Sequence, residues 1–384
     1  MLDGTVVLDF GMNIAGPYAA SVLSDFGADV IKVEPPAGDS ARGYPPVLDG
    51  VSVLFASANH GKRYLGLDLR RPEAADIVGG LVERADVLIQ NLRPGKAVEL
   101  GIDASTCHRR NPRLVHCSVE AFYPGDGDRP GYDLMVQAES GFLAATGDED
   151  GGPSRTPASV LDHVASLWVA LGAMAALAGP RDKNVVRVTM LDVAMALFND
   201  RASTLVATGE VPRRLGSSLA TTAPHRSYPT ADGDVVVGAA NDGLYRKLAK
   251  LLGPPVEGDE RFDTLPGRLQ HRAELDALVA DALRKETTAT WMARLDEVGV
   301  PAAAVRDLAE AVERHRAMSA TGFHDVPGIP GLSIVAPPVI LGAEPWAPPP
   351  PGPVGRDSVA VLQDVLELDD DAIGRLVKGG VVVG

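Results

Sequence analysis

Asp162 is a lone carboxylate at the head of an apolar run: from Val164 to Ala178 only Ser166 is plainly polar. A carboxylate in that place has two uses. It can accept hydrogen bonds from the free N–H groups of a helix start, where the macrodipole adds about 0.3 to 1 kcal/mol. It can also do chemistry, as a nucleophile or as a proton carrier. The two uses are compatible, because the positive end of a helix favours the ionised form. Residue type and position leave the choice open. His163 is adjacent, but consecutive residues point in different directions on a helix, so it is expected as a polar residue of the first turn.

Other residues with chemical potential sit between apolar runs. AGPYAA, Ala15 to Ala20, puts small residues at a helix start, where an anion can come close, although Gly-Pro is equally ordinary turn chemistry. Lys62, Arg63, Arg70 and Arg71 gather in NHGKRYLGLDLRRP, and Arg93 with Lys96 in QNLRPGK. In an acidic chain this clustering points either to a phosphate-bearing ligand or to a solvated face. The sequence contains no GxxxxGK[ST], no GxGxxG after the first strand, no GxSxG and no HExxH. Nucleotide hydrolysis, a dinucleotide fingerprint, a serine esterase and a zincin therefore lose their usual support.

Elements must position these residues, and the pattern supplies them. TVVLDF, DVIKVE, YLGLDL, DVLIQNL and LVHCSVEAF read as strands, alternating with helical stretches up to Gly27 and from Pro72. This is the rhythm of a doubly wound parallel sheet, in which ligands bind at the C-terminal ends of the strands. Residues 1–208 are expected to form most of a large α/β domain. A linker rich in Gly, Pro, Ser and Thr follows at 209–224, then a smaller α+β domain at 225–325. Residues 326–384, with a PPVILG strand and the PWAPPPPGP run, are expected to return to the large domain.

Composition narrows the function. The 384 residues are 45% hydrophobic, enough for a sizeable core, and carry 36 basic against 51 acidic side chains for a formal charge of −15. Such a charge repels a nucleic-acid backbone, so no nucleic-acid partner is expected. Cys107 and Cys117 lack CxxC spacing and are expected to be reduced thiols in a cytoplasm. No apolar run reads as a targeting or membrane-spanning segment.

Taken together, LDFGMNIAGPYAASVLSDFGADVIKVEPPAGD, NHGKRYLGLDLRRPEA, ADVLIQNLRPG, NPRLVHCSV, RPGYDLMVQAESG and the Asp162 segment resemble the class III coenzyme A transferases. That family includes formyl-CoA and carnitine-CoA transferases and the α-methylacyl-CoA racemases. YPTADG, GVPAAAVRDLAEAV and the PPVILG tail also fit in order, so the resemblance runs nearly the length of the chain. It implies a Rossmann-like large domain, an interlocked homodimer, and CoA as a thioester substrate with no metal, nicotinamide or ATP. It implies that Asp162 is the nucleophile, passing through an aspartyl anhydride and an aspartyl-CoA thioester between an acyl-CoA donor and a carboxylic acid acceptor. GAANDG, Gly238 to Gly243, is then a candidate donor of oxyanion hydrogen bonds.

The resemblance further implies CoA contacts at Asn13, Ile14, Ala15, Leu67, Arg70, Asn91, Leu92 and Met190, and a substrate pocket at Tyr132, Asp133 and Asn241. Departures stand at Glu99 and Pro35, where many or some members have Arg, and at Leu92, which replaces an aromatic. Two other readings stay open. A racemase would use Asp162 with a proton partner from RPGYDLMVQ, where Tyr132 and Asp133 stand and a His is usual; a phenol with a pKa near 10 is a poor base at pH 7. A catalytically silent CoA-binding protein is the other.

Overall fold

The aliphatic runs become the strands of one seven-stranded sheet: β1 (Val6–Asp9), β2 (Asp29–Glu34), β3 (Lys62–Leu67), β4 (Val87–Gln90), β5 (Val115–Glu120), β6 (Val185–Thr189) and β7 (Val382–Val383). This is a computed structural model that describes all residues except 124, 126–128, 181–183, 320 and 340–345. The strand order is β7-β3-β2-β1-β4-β5-β6. Every neighbouring pair is parallel except β7, which runs antiparallel along β3. Parallel strands covered on both faces need apolar side chains on both, and that is why these runs read as continuous rather than alternating.

Successive side chains point to opposite faces and feed two cores. Val7, Val30, Val87, Ile89 and Cys117 pack on the side of α1 (Ala15–Asp25) and a long helix described below. Leu8, Ile31, Leu65 and Leu88 pack on the other side against Ile77, Leu81, Leu362 and Ile373. Pro72 opens its helix, and Gly27, at φ +99°, takes the chain out of α1 in a conformation that L side chains rarely adopt. Cys107 and Cys117 are buried and unbridged.

Three more helices frame the site: α2 (Asp133–Glu139), α3 (Val160–Ala178) and α4 (Met190–Phe198). Leu161, Ala165, Val169 and Ala173 of α3 are wholly buried in the core shared with α1, whose facing residues include Ala15, Ala19 and Ala20. Small side chains let the two helices come close. Among the described residues α3 alone is long and apolar enough to cross a membrane, yet its inner face belongs to this core.

The chain divides into two units, Met1–Leu143 with Arg155–Glu210 and Ser319–Gly384, and Ala144–Ser154 with Val211–Met318. The second has an antiparallel sheet of His225–Pro229, Asp234–Gly238 and Ala302–Ala304. Its core includes Tyr228, Val237, Phe262, Leu275 and Trp291. Residues 144–154, expected within the first domain, belong to the second unit because Arg214 donates to the carbonyls of Ala144 and Asp148, and Gly216 N to Gly147 O. Return to the first unit begins at Ser319, earlier than the expected 326. Within PPVILG, residues 337–339 are loop rather than strand, and 340–342 lie outside the described residues.

Candidate active site

Strand order reverses between β1 and β4, and the crevice beyond the C-terminal ends of strands at such a reversal is where open α/β sheets bind ligands. A cavity of about 620 Å³ opens there. Its wall takes Met12 to Ala15 after β1, Asn91 to Arg93 after β4, Val119 and Glu120 at the end of β5, Met190 after β6, and Asp162. All of these residues lie in the first unit.

The loop after β1 is held from three sides. Buried Lys32 donates to Gly11 O at 2.9 Å, Asn91 bonds both Met12 N and Met12 O at 2.8 Å, and buried Asp39 accepts from Asn13 N at 3.1 and 3.2 Å. Asn13 adopts φ +62°, a conformation that costs a non-glycine residue energy and persists where the surroundings over-determine it. Gly11 is needed for space: a Cβ there would stand 2.7 Å from Pro17 Cδ and 3.0 Å from the Gly16 carbonyl carbon. The result is a fixed α1 N-terminus facing the cavity.

Asp162 is the third residue of α3 and its carboxylate makes no hydrogen bond among the described residues. The helix start is satisfied from elsewhere. Asp133, buried on α2, accepts from Leu161 N at 2.8 Å and Asp162 N at 3.4 Å through Oδ1, while Gln137 Nε2 donates to its Oδ2. The capping role considered for Asp162 therefore belongs to Asp133. Burial, and then the negative charge of Asp133, push the Asp162 pKa up to about 7. Desolvation and a like charge thus oppose the dipole that was expected to favour the ionised form. His163 turns away, hydrogen-bonding Ser159 O at 2.8 Å with its ring edge-on to Tyr18.

The cavity brings together Asn13, Ile14, Ala15, Asn91, Leu92, Met190 and Tyr132 with Asp162. Leu67 is fully buried in β3, and Arg70 stands outside the cavity wall, exposed and paired with Asp68 at 2.8 Å. Asn241 caps the helix Asp242–Leu252 in the second unit by accepting from Leu244 N at 2.9 Å. The basic cluster separates by role. Lys62 is buried against Asp9 at 2.8 Å, and Arg63 pairs with Asp29, so both are structural. Arg93 and Lys96 do line the cavity, and Glu99 pairs with Lys96 at 2.7 Å. Sequence reasoning missed Arg129, Glu120 and Tyr123, which also line it. The position of Glu120 at the last residue of a strand was the available signal.

A doubly wound sheet with a crevice at its reversal point, lined by polar and charged side chains, defines the α/β class of proteins that bind a ligand there. The chain belongs to CoA-transferase family III, whose family model matches residues 2–358. It is similar over 98% of its length to the succinyl-CoA–D-citramalate CoA-transferase of Chloroflexus aurantiacus, at 32% identity with 96% of that protein covered. It is 31% identical to the succinate–glutarate CoA-transferase of Agrobacterium fabrum, with 80% of this chain and 81% of that one covered. A CAIB/BAIF family protein from Brucella suis has the same fold, with a TM-score of 0.83, 29% identity, and coverage of 95% of this chain and 99% of that chain. The protein is an enzyme of this family, acting on an acyl-CoA and a carboxylate.

Proposed function

We propose that the enzyme moves CoA from an acyl-CoA to a free carboxylic acid through covalent intermediates on Asp162. The observation that carries this reading is the Asp162 carboxylate, free of hydrogen bonds among the described residues, in the wall of the switch-point cavity. An Asp162 oxygen attacks the donor thioester carbonyl, the C–S bond breaks, and CoA leaves as the thiolate. The thiolate attacks the aspartyl carbon of the mixed anhydride, releasing the donor carboxylate and leaving an aspartyl-CoA thioester. The acceptor carboxylate displaces the thiolate again, and the thiolate takes the acceptor acyl carbon, which regenerates Asp162. One thioester replaces another, so no ATP, metal or nicotinamide enters. The loop Met12 to Ala15, with Asn91, Leu92 and Met190, is the wall against which CoA lies, and the N–H groups of the α1 start face a developing oxyanion.

The racemase alternative needs a second proton carrier. Asp133 is committed to the α3 backbone and to Gln137, which argues for the transferase. Incubation with an accepted acyl-CoA followed by hydroxylamine is expected to modify the Asp162 peptide, with no modification in Asp162→Ala. Solvent deuterium entering the substrate α-carbon while Asp162 stays unmodified would instead establish the racemase.

A cytoplasmic homodimer completes the proposal. Leu167, Trp168 and Leu171 on the outer face of α3 are each about half exposed, and a helix apolar all round normally has both faces covered. A second copy, interlocked with the first, would cover them. Two buried unbridged cysteines agree with a reducing compartment.

A further inference from the structure

Asp133 lies on a different helix from Asp162, yet its carboxylate is bound to the backbone that carries Asp162. Oδ1 accepts from Leu161 N and Asp162 N, and Oδ2 accepts from Gln137 Nε2. Gln137, wholly buried one turn along α2, also donates to Thr156 Oγ1 at 3.2 Å and accepts from Thr156 N at 3.4 Å, holding the segment that leads into α3. Ser159, at the capping position, offers no side-chain cap of its own. The start of the catalytic helix is thus held in place by a charged group borrowed from α2. A neutral side chain could satisfy the same N–H groups, as Asn does at many helix starts. A buried anion there does something more, because its Oδ1 bonds the backbone N–H of the very residue whose carboxylate must react.

We propose that Asp133 is a positioning residue that both fixes the Asp162 backbone and, by its charge, supports the Asp162 carboxylate as a nucleophile. The proposal rests on Asp162 being the nucleophile. An oxygen that holds its proton more tightly is also the stronger nucleophile, provided it is ionised at working pH, and proximity to a second carboxylate supplies that basicity. The upward push of Asp133 on Asp162 has the same sign. The other charged or titratable side chains in the cavity wall are Glu120, Tyr123, Tyr132, Arg93, Lys96 and Arg129, and His163 is turned away. All stay unchanged in the test.

The test measures single-turnover acylation of Asp162, trapped with hydroxylamine, against pH, with acetyl-, succinyl- and longer-chain acyl-CoAs as probes. Asp133→Asn keeps an acceptor for Leu161 N but removes the charge, so the midpoint of the acid limb is expected to fall by about one pH unit. Asp133→Glu keeps the charge and should keep the wild-type midpoint. An unmoved midpoint in Asp133→Asn, or an equal drop in Asp133→Glu, would overturn the proposal, since a purely structural cap moves rate and not midpoint. The carboxyl ¹³C resonance of Asp162 gives a second reading that needs no substrate. Its midpoint should fall in Asp133→Asn and hold in Asp133→Glu, and an unmoved midpoint in Asp133→Asn would overturn the proposal. Failure of the nucleophile reading looks different: no probe labels Asp162 in the wild type, while its ¹³C midpoint still falls in Asp133→Asn.

Discussion

At the scale of single residues, Asp162 sets function against stability. Its folded pKa is raised above the unfolded value of 3.8, to about 7, by burial and by Asp133. The folded state therefore binds more protons than the unfolded state between those values, and the stability contribution of this group falls as pH rises through that window. Above pH 7 the cost is constant. Asp162→Asn removes it, so the variant should be inactive yet melt about 2 to 4 °C above wild type at pH 8, with a smaller difference at pH 4.5. Thermal scans at the two pH values check this; a variant less stable than wild type at pH 8 would contradict the burial argument. Under the proposed mechanism the same titration predicts that kcat/KM declines below about pH 7 as Asp162 takes up its proton.

At the scale of elements, the crevice depends on how the turn after β1 is held. Asn91 spends its amide on both polar groups of Met12, so Asn91→Ala leaves part-buried backbone groups without that partner, at a cost of about 0.5 to 1.5 kcal/mol. The expected signature is a lower Tm with a raised KM for CoA and a smaller change in kcat, because the loop loosens while Asp162 stays on α3. A change in kcat alone would place Asn91 in the chemistry instead. Gly11→Ala attacks the same turn by bulk, since its Cβ would meet backbone at Gly16 and ring atoms of Pro17 that cannot swing aside. Reduced CoA binding and reduced thermal stability should appear together in that variant, as read by calorimetry and melting.

At the scale of the whole molecule, the prediction concerns assembly. The half-exposed Leu167, Trp168 and Leu171 lie on the helix that begins near Asp162, and a second copy that covered them would stabilise that helix along its length. Sedimentation at micromolar concentration should show a dimer that persists on dilution. Trp168→Lys should weaken it, because a charged side chain would be desolvated in the contact. A stable wild-type monomer would refute the assembly.

Much of this was legible along the chain. Continuous aliphatic runs spaced by helical patterns determined a parallel α/β sheet, and Pro72 and Gly27 marked helix ends through fixed φ and through φ above zero. Asp162 stood out as a lone carboxylate at the head of an apolar run, and the expected Asn13, Ile14, Ala15, Asn91, Leu92, Met190 and Tyr132 share its cavity wall. Only the tertiary structure decided what depends on distance across the chain. Lys62 and Arg63 read either as ligand-binding cations or as part of a solvated face, but strand pairing sets them beside Asp9 and Asp29. The cap of α3 comes from Asp133, because hydrogen bonding depends on positions in space, whereas in the sequence Asp162 was the residue considered for that role. Charge state followed from the same cause: desolvation is a property of the packed surroundings, and no neighbouring residue in the sequence reports it.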